Sequence, residues 1–220
     1  MKNLIIASFL TIALMFSQIC FAQNSDKNFG QILQNYYLHK DKDLIDKAIL
    51  FINKTPMDNN SLHPIVTGFF GAAFLDDAVI KADFASKIDL VKKPEMKQLL
   101  QLLLSSNIDT IYSKTSVSPS LNDMNWSSFF ATGNTKYLDN IIAHIPYMEN
   151  RIDVNLFLAG ATAKWSLCSN AKQNADVNKH ISSLKDKNPV LKEIIENEPQ
   201  YFEQETIGIL KKQRKSGIWN

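Results

Sequence analysis

The fold is indicated by two stretches of the chain that match without gaps: NYYLHKD at 35–41 with LIDKAI at 44–49 and Ile52, and SFFATGN at 128–134 with YLDNII at 137–142 and Ile145. In both stretches an aromatic pair ends one apolar-periodic segment and a polar turn follows. A second segment then begins with its apolar residues in the same phase. We therefore predict a helical hairpin that cannot bury its apolar face alone and must stack on neighbouring elements. The alternative is that two amphipathic hairpins are alike by chance.

A weaker third copy begins at Trp165, 39 residues after Trp126. The helix-Gly-Asn-helix arrangement at 129–142 resembles the hairpin of tetratricopeptide (TPR) and Sel1-like repeats, in which a small or turn-forming residue separates the two helices. This resemblance implies an array of stacked hairpins. Because the spacings of 39 and 93 residues depart from the regular TPR period of about 34, we expect an irregular stack, either a TPR-like solenoid or an orthogonal bundle.

Apolar residues recur at helical spacing through the rest of the chain as well, and we therefore predict an all-α fold. The only short β-favouring stretch, 115–117, is bracketed by turn residues. The predicted helices lie near 26–39, 42–53, 62–75, 77–87, 95–106, 120–132, 135–145, 152–172, 175–186, 189–197 and 200–214.

The seven prolines are expected at junctions between helices, because proline is tolerated in the first turn of a helix and little elsewhere in it. Ser118 and Asn188 precede prolines and are good candidates for N-cap residues. No low-complexity linker interrupts the pattern. We therefore expect a single all-helical domain over 23–220.

The N-terminal segment 1–22 has the features of a secretory signal peptide. Lys2 supplies the cation, an apolar run covers 4–16, and Cys20 and Ala22 place small residues before a cleavage site at Gln23. A membrane anchor is the alternative, but the apolar run is shorter than the ~20 residues of a spanning helix. Lipidation of Cys20 is disfavoured by the bulky Ile19 before it. We expect an exported protein, periplasmic or secreted.

Composition and motifs exclude several classes of function. The net charge of +2 is too small for the electrostatic footprint of a nucleic-acid-binding protein. The scattered glycines form no phosphate-binding loop, and the four histidines show no spacing typical of metal ligands, so we expect neither a cofactor nor a metal site. Cleavage before Gln23 would leave Cys168 as the only cysteine, and we favour a buried thiol there over a reactive one.

Two polar-aromatic segments are candidates for a ligand-binding groove, because tryptophan flanked by amide and hydroxyl groups suits an extended peptide or a polar ligand. The alternative is that both tryptophans are packing anchors. The candidate residues are Asn125 and Trp126 in the first segment, and Trp165, Ser169, Asn170 and Gln173 in the second.

These observations favour an interaction or scaffold module with a protein or peptide partner, and they identify no catalytic residue. The alternative is a small all-helical envelope enzyme, hydrolase-like, in which His39, His144 or Asp139 would converge in a pocket. The basic cluster at 211–215 beside Trp219 could contact anionic lipid. The helix dipole also favours cations there, and we prefer that explanation. The sequence does not indicate an oligomeric state.

Overall fold

The computed structural model describes residues 24–219, with side chains described from Phe29 onward. Within this part of the chain the fold is all-α, as predicted, and it contains no strand. Two short 3-10 helices, Ile88–Leu90 and Ile145–Glu149, accompany the α-helices. The α-helices are α1 (Asn24–His39), α2 (Leu44–Lys54), α3 (Asn59–Asp76), α4 (Ala78–Lys87), α5 (Pro94–Ser105), α6 (Ile108–Lys114), α7 (Pro119–Thr132), α8 (Lys136–His144), α9 (Val154–Gln173), α10 (Ala175–Leu184), α11 (Pro189–Glu196) and α12 (Pro199–Lys215).

The predicted signal peptide, 1–22, lies outside the described residues. None of the helices between 24 and 219 combines the length and the apolar character that a membrane-spanning helix needs.

Each predicted helix overlaps a helix of the structure, but α6 was not predicted. It is only seven residues long, and Ile108 is its one buried residue, so it shows no apolar stripe from which a helix could be recognised. Asn107 caps it by accepting a hydrogen bond from the Asp109 N–H at 2.8 Å.

The prediction that every proline lies at a junction is wrong for Pro64, which is buried inside α3. This helix begins at Asn59, three residues earlier than predicted, because Asp58 caps it through the Ser61 N–H at 3.0 Å. The other prolines lie where expected, and α5, α7, α11 and α12 each begin with one. Ser118 and Asn188 act as N-caps, as predicted, through Leu121 N–H and Val190 N–H.

The chain divides into two compact units, with a boundary inside α7. Unit 1 comprises the described residues up to Thr115 together with Asp123–Asn134. Unit 2 comprises Ser116–Asn122 and the described residues from Thr135 onward. The single domain expected from the sequence stays a prediction.

Unit 1 is built around α3, which packs against α4, α5 and α6. Aromatic side chains fill its core, and the Phe70 ring lies 5.3 Å from Phe69 and 5.0 Å from Phe84 in edge-to-face arrangements. At Gly68 the backbone of α3 comes so close to the Met124 carbonyl of α7 that a Cβ atom would overlap it. Glycine therefore permits this helix contact.

Unit 2 is built around α9, the longest helix, which packs against α8, α10, α11, α12 and the 3-10 helix Ile145–Glu149. Gly160 allows the close approach to the 3-10 helix, because a Cβ there would overlap the backbone of Met148. Asp153 caps α9 by accepting from the N–H groups of Asn155 and Leu156. These contacts fix the helix that carries most of the predicted groove residues.

Candidate functional site

The C-terminal half of α9 has a buried side and a side that reaches solvent. Residues 157–161 are buried on all sides of the helix. From there on, the buried side chains recur at helical spacing, while Trp165 and Asn170 are partly exposed and Gln173 is exposed. The buried side chains of this half are Ala163, Lys164, Leu167, Cys168, Ser169 and Ala171.

We define the Trp165 face as the accessible side chains of Trp165, Asn170 and Gln173 together with the buried Ser169, which Gln173 contacts. Hydrogen bonds to the helix hold its amide groups in place. The Asn170 Nδ2 group donates to the Ser166 carbonyl at 2.9 Å, and the Gln173 Nε2 group donates to the Ser169 carbonyl at 3.2 Å and to Ser169 Oγ at 3.3 Å. Four of the six predicted groove residues thus lie on the C-terminal half of α9, where Gln173 lies between Trp165 and Asn170 around the helix axis.

The Asn170 and Gln173 NH₂ groups donate within the helix, and the carbonyl oxygen of each amide is its remaining acceptor. Within the described part of the chain, neither of these two oxygens has a hydrogen-bond partner, and the Trp165 indole N–H group has none either. The Trp165 face therefore presents one aromatic ring, one free donor and two free acceptors.

Lys164, on the buried side of α9, anchors the helix to α11 and α12. Its ammonium group lies 2.9 Å from a Glu193 carboxylate oxygen and 3.2 Å from one of Glu205, and it lies 4.9 Å from the centre of the Phe202 ring. Burial lowers the pKa of Lys164, but the hydrogen bonds and the attraction of the two carboxylates raise it more, so that the net pKa lies above its usual value. The rigid back of the helix keeps the Trp165 face pre-organised.

A buried polar network lies one helical turn before the Trp165 face. Asn122 Nδ2 donates to the Ala159 carbonyl at 2.7 Å and to Thr162 Oγ1 at 3.0 Å, so its Oδ1 atom accepts the 2.6 Å hydrogen bond from His144 Nδ1. This arrangement puts the His144 proton on Nδ1 and leaves Nε2 with a lone pair. Burial lowers the pKa of His144, which keeps the ring neutral at pH 7.

The other two predicted groove residues lie in unit 1, on the part of α7 after the boundary. Asn125 is 1% exposed and Trp126 is 2% exposed, and the Trp126 ring stacks on Phe130 at 5.7 Å and meets Phe129 edge to face at 6.3 Å. Both side chains are therefore core residues of unit 1. This is the packing role that the sequence left open for them.

In the alternative of an enzyme, His144 and Asp139 would converge in one pocket, but the structure gives them different hydrogen-bond partners. Asp139 is hydrogen bonded with His180 Nε2 at 2.7 Å, whereas His144 is hydrogen bonded with Asn122. His39 belongs to unit 1. Among the described residues, no group of three or more His, Cys, Asp or Glu side chains could hold a metal ion.

Cys168 lies on the buried side of α9, and its thiol donates to the Asn197 carbonyl at 3.3 Å. Burial and, less strongly, the Glu198 carboxylate raise the thiol pKa to about 11, although Lys172 lowers it. These surroundings support the prediction of a buried, structural thiol.

The residues that sequence reasoning missed are Asn122 and Thr162. The three partners of Asn122 lie 22 to 40 positions away, and Thr162 is one of them, so that no local spacing relates these residues. The signal that could have found Asn122 is its place between the apolar residues Leu121 and Met124, where a buried amide requires hydrogen-bond partners.

Comparison of the chain with protein-family models, with curated protein sequences and with solved structures finds no match. The resemblance to TPR and Sel1-like hairpins therefore stays a prediction from the sequence.

Proposed function

We propose that this protein is a helical interaction module that binds an extended peptide segment of a partner protein along the Trp165 face. The observation that carries the proposal is the partly exposed Trp165, whose indole N–H is free, on the same half of α9 as the free amide oxygens of Asn170 and Gln173. Tryptophan contributes more than most residues to binding energy where it becomes buried against a partner.

An extended peptide suits these groups because its backbone N–H and C=O groups are unpaired and point to both sides of the chain. Two peptide N–H groups can donate to Asn170 Oδ1 and Gln173 Oε1, and a peptide carbonyl can accept from the Trp165 indole. A folded helix offers none of these backbone groups, since its own hydrogen bonds use them. The proposal therefore concerns a segment without helical structure.

Charge has a small part in this interaction. Lys172 flanks the Trp165 face, but its ammonium group forms an ion pair with Glu198 at 3.0 Å. The pair is exposed and contributes at most about 1 kcal/mol. We expect the affinity for a peptide to change little with salt concentration, because uncharged groups form the contacts.

The test begins with selection of peptides from a displayed random library on the immobilised protein, followed by measurement of Kd for the selected peptides in solution. Trp165→Ala should raise Kd at least about tenfold, since truncation of a binding hot spot costs more than about 1.4 kcal/mol. The matched control is Tyr201→Ala, which removes a half-exposed aromatic side chain of α12 in the same unit and should leave Kd unchanged. Equal affinities for the wild type and Trp165→Ala would contradict the proposal.

A second pair of variants tests the acceptor oxygens. Gln173→Ala removes one acceptor and should raise Kd about fivefold, which corresponds to the loss of one hydrogen bond. Gln173→Glu keeps an acceptor oxygen but loses the Nε2 donor to the Ser169 carbonyl, so it should lose less affinity than Gln173→Ala without matching the wild type. Because Gln173 is exposed, neither change should disturb folding. Equal losses in both variants would exclude Gln173 as an acceptor.

A further inference from the structure

The end of the described chain turns back from α12 in a fixed geometry. Gly217 has a φ of 71°, in the left-handed region that glycine tolerates best. The Gly217 N–H donates to the Arg214 carbonyl and the Ile218 N–H donates to the Gln213 carbonyl, both at 3.0 Å. This pair of bonds is the Schellman motif, which ends a helix and redirects the chain.

Trp219 then joins this end of the chain to the loop before α9. The ring is buried and packs against Phe157 at 4.9 Å between centroids, and its indole N–H donates to the Ile152 carbonyl at 3.3 Å. On the same ring of Phe157, the Arg151 guanidinium lies 5.6 Å from the centroid. The loop at 150–153 and the residues after α12 therefore form one surface of unit 2.

Two aliphatic side chains project from this surface into solvent. Ile152 is 91% exposed and Ile218 is 53% exposed, whereas Trp219, which connects the two segments, is buried. Single exposed aliphatic residues are common, but here the Ile152 carbonyl is bonded to Trp219, the neighbour of Ile218, so that both side chains extend from adjoining parts of the backbone and form an apolar point of contact.

A cluster of cations occupies the last turns of α12, three to seven residues before Ile218 in the chain. On the helical wheel of α12 Lys211 and Lys215 lie opposite the buried Gln213, and Lys212 and Arg214 flank it. Within the described chain none of these four cations forms an ion pair. The acids near Ile152 in sequence are already engaged, since Glu149 pairs with Arg151 and Asp153 caps α9. Glu205, the acid nearest to the cations in sequence, pairs with Lys164. The cations of the cluster are Lys211, Lys212, Arg214 and Lys215.

We propose that Ile152, Ile218 and this basic cluster form a docking surface for an anionic lipid bilayer. Cations are attracted to the negative headgroups, and aliphatic side chains beside them reach the boundary between headgroups and acyl chains. An acidic protein would satisfy the cations but gives no reason for Ile152 to be almost fully exposed. The combination of aliphatic side chains with unpaired cations favours the lipid surface.

The test is co-sedimentation with vesicles, using the chain that starts at Gln23, which contains every residue that the structure describes. We expect binding to vesicles of equal parts phosphatidylcholine and phosphatidylglycerol, much weaker binding to phosphatidylcholine alone, and release at high salt. Absence of sedimentation with the anionic vesicles would overturn the proposal, as would equal binding to both kinds of vesicle.

Matched variants separate this surface from a general effect of charge. Lys211→Glu with Lys215→Glu should lower the affinity for anionic vesicles by more than about 25-fold, since each lost cation costs about fivefold. Lys179→Glu with Lys187→Glu changes the net charge by the same amount at exposed positions elsewhere in unit 2. This double variant should lower the affinity for anionic vesicles much less. Equal losses in the two double variants would overturn the proposal.

The aliphatic residues are tested in the same assay. Ile152→Ser should lower the affinity for anionic vesicles about fourfold or more, because the loss of a single buried methylene group already has an effect of that size. Val79→Ser removes a side chain that is 76% exposed in unit 1 and should leave the affinity unchanged. Unchanged binding by Ile152→Ser and Ile218→Ser together would show that the aliphatic side chains take no part and would overturn the proposal.

Discussion

Lys40 and Gly133 occupy the same position in the two matching stretches of the sequence, and both have a left-handed backbone, with φ of 47° and 72°. Each N–H group donates at 2.7 Å to the carbonyl of the aromatic residue four positions earlier, which is Tyr36 in one case and Phe129 in the other. The two helices therefore end in the same way, and the aromatic residue before each turn is part of that geometry.

Gly133→Ala should destabilise the protein by about 1–3 kcal/mol. A left-handed conformation costs a residue with a Cβ atom roughly 1–2 kcal/mol, and a Cβ at this position would lie 2.8 Å from Cδ2 of Tyr37. Urea unfolding followed by circular dichroism measures the change. Gly208→Ala is the control, because a Cβ in the middle of α12 would extend into open space, and it should stabilise by about 0.5–1 kcal/mol. Similar effects of the two substitutions would show that the left-handed turn is not required.

Ser127→Ala should leave the stability unchanged or raise it by up to about 1 kcal/mol. The buried Ser127 Oγ has no hydrogen-bond partner in the described chain, and it lines a cavity of about 20 Å³ whose other walls include Ile65, Phe69 and Phe130. Removal of an unpaired buried hydroxyl carries no penalty. Differential scanning calorimetry provides the measurement.

The neighbouring Ser128→Ala is the matched control for this substitution. Ser128 Oγ donates to the Gly68 carbonyl at 2.8 Å and lies 2.8 Å from the Tyr112 hydroxyl. Its loss leaves buried partners unsatisfied and should cost about 1–3 kcal/mol. Destabilisation by Ser127→Ala as large as that by Ser128→Ala would show that Ser127 has a partner, for which a bound water is the candidate.

His144 should make the protein less stable as the pH falls. Because burial lowers its pKa in the folded state, the unfolded chain binds the proton more tightly, and stability is lost as the pH drops below the ordinary value of about 6.5. The measurement is the free energy of unfolding in urea at pH 7.5 and 5.0. His144→Gln can still donate to Asn122 and should lose less stability over this range. The comparison cancels the contributions of other titrating groups, including Asp123, whose pKa burial raises. Equal losses in both proteins would contradict the assignment.

Cys168 should react at least about 100-fold more slowly in the folded protein than in the unfolded chain. A rise of the thiol pKa from 9.0 to about 11 reduces the thiolate, the reactive form, by that factor at pH 8. The measurement is labelling by a disulfide reagent, with and without denaturing urea, in the chain that starts at Gln23. Rapid and complete labelling of the folded protein would instead indicate a reactive thiol.

The fold class follows from the sequence because the helical periodicity is local, as the repeated stripe from Leu44 to Ile52 shows. The short α6 is not recognisable in this way, since a helix with one buried residue has no stripe. At Pro64 the helix was predicted, but its start was placed too late. A strong cap at Asp58 extends α3 over a position where a proline alone predicts a helix start.

The candidate site could be predicted only in part. Trp126 and Trp165 have similar polar neighbours in the sequence, yet Trp126 is buried among aromatic rings and Trp165 is partly exposed. The difference arises from tertiary packing, which local spacing does not contain. The pairing of Asn122 with His144 is likewise a contact between elements that one sequence cannot relate.

The most direct test of peptide binding at the Trp165 face is an NMR titration of the three tryptophan indole N–H signals with a selected peptide. Trp126 is 2% exposed and Trp219 is 6% exposed, so their signals should stay in place, while that of Trp165 shifts in proportion to the bound fraction. Assignment comes from the Trp165→Phe variant, which lacks the shifting signal. A peptide that binds without moving the Trp165 signal would contradict the account.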